Sequence, residues 1–209
     1  MKLRPIHLFS ALAFVTGAAP ATSYASGVGG YARGVESSVQ RILEGRYTLA
    51  PFASVAFCMK NKDQCVDAGG EATVMLTDDR RQEISSVNSG INRAIKPRND
   101  ADDDDSWEVD VTAGDCEDYA LTKRKHLLAL GWPSRALRIA VATTPSGEGH
   151  AVLIVRTSDG DLVLDNRSSK IREWTKSDLR WIKMQGSNPQ VWVEIDRQPR
   201  RFQVVSNRK

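Results

Sequence analysis

The apolar positions along this chain change period from one third of it to the next. Ile6 to Ala19 (IHLFSALAFVTGAA) is an unbroken apolar stretch behind Lys2 and Arg4, and it closes on small residues. That is the make-up of a secretory signal segment, and the small side chains at Ser23 and Ala25 place its cleavage after Ala25. Residues 26–50 carry glycines and then a weakly helical stretch, Val35 to Leu43, which reads as an arm laid against one domain spanning 26–209. Between Asp78 and Ala94 the apolar residues Ile84, Val87, Ile91 and Ala94 recur every three or four positions, the period of an amphipathic helix, and Lys96-Pro97 ends it. A second helix is announced by Thr112 and Asp115 at the spacing of a capping box. Helix formers follow from Ala120 to Leu130, and Gly131-Trp132-Pro133 stops it. Cys116 therefore falls in the first turn of that helix.

Beyond Pro133 the pattern becomes that of strands. Leu137 to Ala142 (LRIAVA), Ala151 to Arg156 (AVLIVR) and Leu162 to Asp165 (LVLD) are short β-branched runs bounded by Gly, Pro, Ser and Asp. Val191 to Ile195 and Phe202 to Val205 make two more. Helices first and antiparallel strands after is an α+β order.

Composition narrows the classes. The 209 residues hold 29 Lys+Arg against 26 Asp+Glu, a formal net charge of +3. Removal of Lys2 and Arg4 with the signal segment leaves +1, too little to suggest a nucleic-acid partner. No later window is apolar over the roughly 18 residues a membrane span needs, so the mature product reads as soluble and exported. The acidic run Arg98 to Asp105 (RNDADDDD) reads as a solvated loop in preference to a cation site.

Three cysteines matter in an exported chain. Cys58 and Cys65 are close enough in sequence to close a short disulfide loop. Cys116 is left over, in the polar and acidic setting Gly114-Asp115-Cys116-Glu117-Asp118-Tyr119, unlike a core lining. A thiol at a helix start is a candidate nucleophile, since the unpaired N–H groups and a histidine partner both favour thiolate. His126 is ten residues further along the same helix, about 15 Å away at 1.5 Å per residue, and cannot reach. His150, opening a strand after Ser146-Gly147-Glu148-Gly149, is the remaining base. Asp165, ending the next strand, is the candidate to orient the imidazole, the alternative being a strand-end turn with Asn166. A two-residue turn at Asp159-Gly160 would set Asp165 opposite Ile154, about 13 Å from His150, so the triad reading asks for a wider loop through Thr157 to Gly160.

Gly114-Asp115-Cys116-Glu117-Asp118-Tyr119-Ala120, then Lys123, Leu127 and Gly131, then Gly149-His150-Ala151-Val152-Leu153 and Leu164-Asp165-Asn166, resembles the bacterial transglutaminase-like cysteine peptidases. The likeness extends upstream through Val87-Asn88, Ile91-Asn92, Trp107 and the Cys58/Cys65 pair. It implies a papain/transglutaminase-like fold, with helices ahead of an antiparallel sheet, and a Cys116, His150, Asp165 triad. In the LapG-type branch of that family, the resemblance further implies a periplasmic enzyme. Such an enzyme cuts a large surface adhesin near its N-terminus, is held in check by an inner-membrane receptor, and needs calcium bound by the acidic residues flanking the cysteine. Those positions are Asp115 and Glu117 here, with Asp118 a further contributor. Three close carboxylates suit a hard, oxygen-liganded cation, and they equally suit the positive end of a helix. The stretch between Trp107 and Cys116 is shorter than in that branch, and Asp102 to Asp105 replaces a more mixed segment.

Hydrolysis of a protein substrate and transfer of the acyl group to a lysine amine need the same triad, so both chemistries stay open. A non-catalytic module holding calcium or a partner at the acidic cluster is a third reading. Trp107 is either a donor to the oxyanion, a wall of the groove, or a core residue.

Overall fold

A computed structural model describes residues 39–100 and 105–195. The signal segment, most of the arm, the centre of the acidic run and the strand expected at Phe202 to Val205 lie outside those residues. In chain order the elements are β1 (Glu44–Thr48), α1 (Phe52–Lys60), α2 (Lys62–Cys65), α3 (Asp78–Ala94), β2 (Lys96–Pro97), β3 (Ala113–Gly114), α4 (Cys116–Ala129), β4 (Leu137–Thr143), β5 (Gly149–Thr157), β6 (Gly160–Leu164), β7 (Arg172–Glu173), β8 (Arg180–Gln185) and β9 (Trp192–Ile195). This is the α+β arrangement of helices with an antiparallel sheet that the sequence predicts.

Both ends of α3 and the end of α4 have local causes. Thr77 caps α3 by accepting from the Arg80 N–H at 3.3 Å, and Asp78 and Asp79 sit at the positive end of the dipole. Ile84 and Ile91 turn inward, as their spacing predicts. The helix stops at Ala94 because the residue before Pro97 is driven into extended backbone. The end of α4 is a Schellman turn: Trp132 N–H reaches Leu127 O at 3.0 Å and Gly131 N–H reaches Leu128 O at 3.0 Å, with Gly131 at φ +79°. At its start the capping-box reading fails. Asp115, not Thr112, is the N-cap, and no side chain caps it. The chain comes in instead as β3, paired in parallel with β2.

The seven-stranded sheet has the order β1-β9-β8-β4-β5-β6-β7, with every pairing antiparallel. Alternate residues of its central strands feed two cores. Ile139, Leu153, Val155, Leu162 and Leu164 meet Leu121, Leu127 and Ile84 on the helical side. Ala140, Val152, Ile154 and Val163 meet Ile42, Trp174 and Met184 on the other. Burial on both faces explains why β5 reads as an unbroken apolar run.

Several elements depart from expectation. The described part of the weak helix, residues 39–43, is not helical, and the chain runs on into β1, the edge strand beside β9. Helices α1 and α2 and strand β8 were not foreseen. β8 (RWIKMQ) lacks clean alternation because the β4–β8 register shifts between Val141 and Ala142. The expected disulfide is present, with Cys58 and Cys65 joined across α1 and α2. Its double replacement by Ala is expected to lower stability by about 2–3 kcal/mol, the loop-closure value for so short a loop. A urea midpoint indistinguishable from wild type would contradict this.

Candidate active site

Cys116 is the first residue of α4, where the polar run 114–118 leaves the β3 strand and enters the helix. Its Sγ accepts the Ala151 N–H at 3.2 Å and donates to Glu117 Oε2 at 3.2 Å. Because Ala151 directly follows His150, that bond pins the sulfur beside the histidine on β5. Cys116 and His150 line one cavity of about 520 Å³, walled further by Arg98, Asp100, Glu148 and Arg167. Cys116 carries the free thiol among the described residues.

His150 Nε2 lies 3.0 Å from Asp165 Oδ1, and both side chains are buried. The register that brings them together differs from the expected wide loop. Thr157 pairs with Gly160, so the turn is the tight two-residue Ser158-Asp159, one residue earlier than Asp159-Gly160. Moving a tight turn by one residue moves the strand pairing by two. Leu153 then faces Leu164, and Asp165 falls level with Val152. The last two-residue step to His150 is a diagonal same-face pair, within reach of long side chains.

Arg167 was missed by the sequence reading. Its backbone N–H reaches Asp165 Oδ1 at 2.9 Å, and its Nε and Nη2 reach Oδ2 at 3.1 and 2.9 Å. Asp178 braces the guanidinium at 2.7 Å from Nη2. Burial works to raise the Asp165 carboxyl, but the bonds from His150 and Arg167 outweigh it and hold the group well below the usual carboxylate range. The strand-end turn was also foreseen, and it coexists with the histidine contact.

The thiol is pushed the other way. Burial drives the Cys116 thiol well above its ordinary value, and the Glu117 carboxylate adds to that, against the Ala151 N–H. The helix start alone does not make this sulfur a thiolate, because two acids share the first turn with it. Glu117 is itself pushed up to about 8, by burial first and then by the Asp115 carboxyl beside it, and Asp118 to about 6, by burial first. Asp115 Oδ1 is buried without a hydrogen-bond partner among the described residues.

Carboxylate oxygens of Asp115, Glu117 and Asp118 lie within 4.8 Å of one another, and so do those of Asp100, Asp105 and Glu117. The second group draws on the two described ends of the acidic run: Asp100 is half-buried, and Asp105 is exposed, as a solvated loop would have it, while both line the cavity of Cys116. Ser106 N–H bonds Asp100 at 2.7 Å, and Trp107 Nε1 bonds Asp105 at 3.1 Å. Repelling carboxylates with an orphaned oxygen form an oxygen-rich donor set that fits a hard cation. Trp107 itself is a core residue, buried with its ring 6.4 Å from that of Trp192. His126 faces solvent near Asp110, 3.7 Å away, as its place on the helix predicted.

No curated protein matches the sequence. Among solved structures, calcium-bound LapG of Legionella pneumophila is 29% identical over 56% of this chain and 70% of its own, with a TM-score of 0.50. Another structure of Legionella pneumophila LapG is 30% identical over 54% of this chain and 68% of its own, at a TM-score of 0.48. An EGTA-treated form is 30% identical over 56% and 68%, also at 0.48. The family model for the bacterial transglutaminase-like cysteine proteinases (BTLCP) matches residues 44–200, from the edge strand through the cysteine helix to the end of the sheet. A free thiol at a helix start and a buried histidine–aspartate pair are what a cysteine peptidase requires, and with that match the chain belongs to the bacterial transglutaminase-like cysteine proteinases.

Proposed function

We propose that this chain is an exported, calcium-dependent cysteine peptidase of the periplasm whose substrate is a surface adhesin, cut through Cys116, His150 and Asp165. The observation that carries the reading is the His150 Nε2–Asp165 contact at 3.0 Å beside a sulfur held 3.2 Å from the Ala151 N–H. With Nε2 engaged by Asp165, Nδ1 is the imidazole nitrogen left to take the thiol proton. The thiolate then attacks the scissile carbonyl carbon, and the new C–S bond forms as the carbonyl electrons move to oxygen. The Cys116 N–H, at the first position of α4, is placed to meet that oxyanion. As the C–N bond breaks, Nδ1 returns its proton to the leaving amine. A water, deprotonated at Nδ1, opens the thioester, and the sulfur recovers the proton. Asp165 keeps the imidazole in the required tautomer and stabilises the imidazolium without itself being protonated.

Calcium, when bound, supplies positive charge among the acids that flank the sulfur. Asp115 and Glu117 are the ligands we assign, with Asp118, Asp100 and Asp105 as neighbours able to complete an oxygen shell. The orphaned Asp115 Oδ1 and the raised Glu117 and Asp118 carboxyls support the assignment. With its charge neutralised there, Glu117 no longer opposes ionisation of the neighbouring thiol, which is the physical link between the cation and activity. No helix among the described residues is long and apolar enough to cross a membrane. An inner-membrane receptor, as implied for the LapG branch, is the regulatory partner we expect.

The test is incubation of the mature chain with exported surface proteins, in calcium and in EGTA, with a labelled amine present. Calcium-dependent shortening of one large protein, without amine incorporation, is the expected result. Amine incorporation without cleavage would replace hydrolysis by cross-linking, and full activity in EGTA would remove calcium from the reading. An iodoacetamide titration adds a substrate-free check: Cys116 is expected to alkylate at clearly lower pH in calcium than in EGTA, where burial and Glu117 hold the thiol protonated, and His150→Ala to slow the reaction in calcium.

A further inference from the structure

Asp165 lies one residue beyond Leu164, where the pairing of β6 with β5 ends, so the strand ladder stops short of it. What reaches its main chain from outside the loop is α3. Asn88 and Asn92 lie four residues apart, on a single face of that helix. Asn92 Nδ2 donates to the Asp165 carbonyl at 3.0 Å and to that of Ser168 at 3.2 Å. Asn88 Nδ2 donates to the carbonyls of Ser168 and Ser169, both at 3.1 Å. The Oδ1 atoms of both amides are buried without a hydrogen-bond partner among the described residues. Each amide therefore turns its donors to the loop and leaves its acceptor unpaired inside the protein, which destabilises the fold. Apart from the contact to His150, the other bonds to Asp165 come from its own loop. They are those of Arg167, which is tethered outside by the exposed Asp178, and the Ser168 N–H, 3.5 Å from the Asp165 carbonyl. The same helix grips the cysteine side. Ile91 of α3 and Ile95 just past it pack on Tyr119 of α4, and Tyr119 Oη donates to the Ile95 carbonyl at 2.7 Å. Tyr119 is about one turn on from Cys116, so α3 ties the helix that carries the sulfur to the loop that carries the acid.

We propose that Asn92 is a positioning residue for the peptidase reaction: its amide sets the main chain of Asp165 so that the carboxylate meets His150, while Asn88 anchors the rest of the loop. The inference rests on the triad reading above and adds to it a residue outside the lining of the Cys116 cavity. The His150–Asp165 pair is diagonal across the strands, so the 3.0 Å contact depends on where the Asp165 backbone sits. Rotation of the peptide after Asp165 swings the carboxylate away from Nε2, and Arg167, riding on the same loop, moves with it. Asn92 holds the carbonyl of that peptide, and the bonds of Asn88 fall three and four residues further on.

The two amides supply their own control, because each makes two bonds to the same loop from the same helix face, and Asn88 is the more deeply buried, at 0% exposure. Asn92→Ala is expected to lower kcat for peptide cleavage about tenfold, the size of effect that one lost hydrogen bond brings, with KM within about twofold. Asn88→Ala is expected to lower the melting temperature at least as much and to keep kcat within about twofold of wild type. Asn92→Leu, of similar branched shape and a better helix former, takes the place of Asn92→Ala if that variant does not fold. The proton between His150 and Asp165, followed by proton NMR, is expected to exchange with water about tenfold faster in the Asn92 variants and at the wild-type rate in Asn88→Ala. A purely structural pair of amides would lower both melting temperatures without separating the two positions in kcat or exchange. Exchange and kcat both within about twofold of wild type in a folded Asn92 variant, or equal losses in the Asn88 and Asn92 variants, would overturn the proposal. The exchange measurement needs no substrate, so it decides the role of Asn92 even if the wild-type chain cleaves nothing, which is the outcome that would sink the triad reading instead.

Discussion

Cys116→Ala is expected to abolish cleavage outright, His150→Ala to reduce kcat by about 10⁴-fold, and Asp165→Ala to reduce it by about 10²-fold. The order of the three losses is the informative part. Without the sulfur there is no acyl-enzyme. Without His150 nothing takes the thiol proton, and this thiol needs taking more than most, because burial and Glu117 both oppose its ionisation. Without Asp165 the imidazole keeps its place on β5 but loses the 3.0 Å contact that fixes which nitrogen carries the proton. Arg167 then loses its bidentate partner and keeps only Asp178, so Arg167→Gln is expected to share part of the Asp165→Ala loss. Single-turnover cleavage by each purified variant, with melting curves alongside, measures this. An Asp165→Ala enzyme as fast as wild type would demote Asp165 to the strand-end turn it also makes.

In EGTA, melting temperature is expected to fall as pH rises from about 5 to about 8, and calcium is expected to remove most of that fall. Glu117 and Asp118 have ordinary values of 4.5 and 3.8, and they are pushed up to about 8 and about 6 in the folded chain, in each case by burial first. Between those limits the folded state binds more protons than the unfolded one, so each step up in pH costs stability. The contribution is whole below about pH 4 and is lost as pH passes the folded values. Lys123 acts in the opposite sense and over a different window: its folded value of about 7 lies below its ordinary 10.5, so stability from that group recovers above about pH 7. A cation among the carboxylates replaces the protons, and the gap between calcium and EGTA melting temperatures is expected to widen toward pH 8. Glu117→Gln is expected to raise the melting temperature in EGTA at pH 8 and to shrink the calcium increment. A gap that stays constant across this range would reject Glu117 as a ligand, whatever calcium does to activity.

Where the chain alone was informative, the signal was local. The apolar spacing of Ile84, Val87 and Ile91 announced α3, the Gly131 stop announced the end of α4, and the β-branched runs announced β4, β5, β6 and β9. The pairing of Cys58 with Cys65 and the location of Cys116 in a helix's first turn needed only short separations along the chain. The misses share a different character. β8 hides its alternation behind a register shift. The edge strand β1 is polar, and only β9 makes it a strand. Asp100 and Asp105 look like any solvated acids until the loop folds them onto Glu117. Nothing in the residue type of Arg167 tells a solvated side chain from one aimed at Asp165.

The sequence by itself determined that a thiol, an imidazole and a carboxylate would each sit at the end of a regular element, because helix and strand ends are written in residues two to four positions apart. Whether those ends meet was decided by the tertiary structure. Placing the hairpin turn at Ser158-Asp159 instead of Asp159-Gly160 shifts the pairing by two residues and closes the distance from Asp165 to His150. That choice lies with the packing of two buried strand faces against two cores, a sum over distant contacts that no short window of the chain contains.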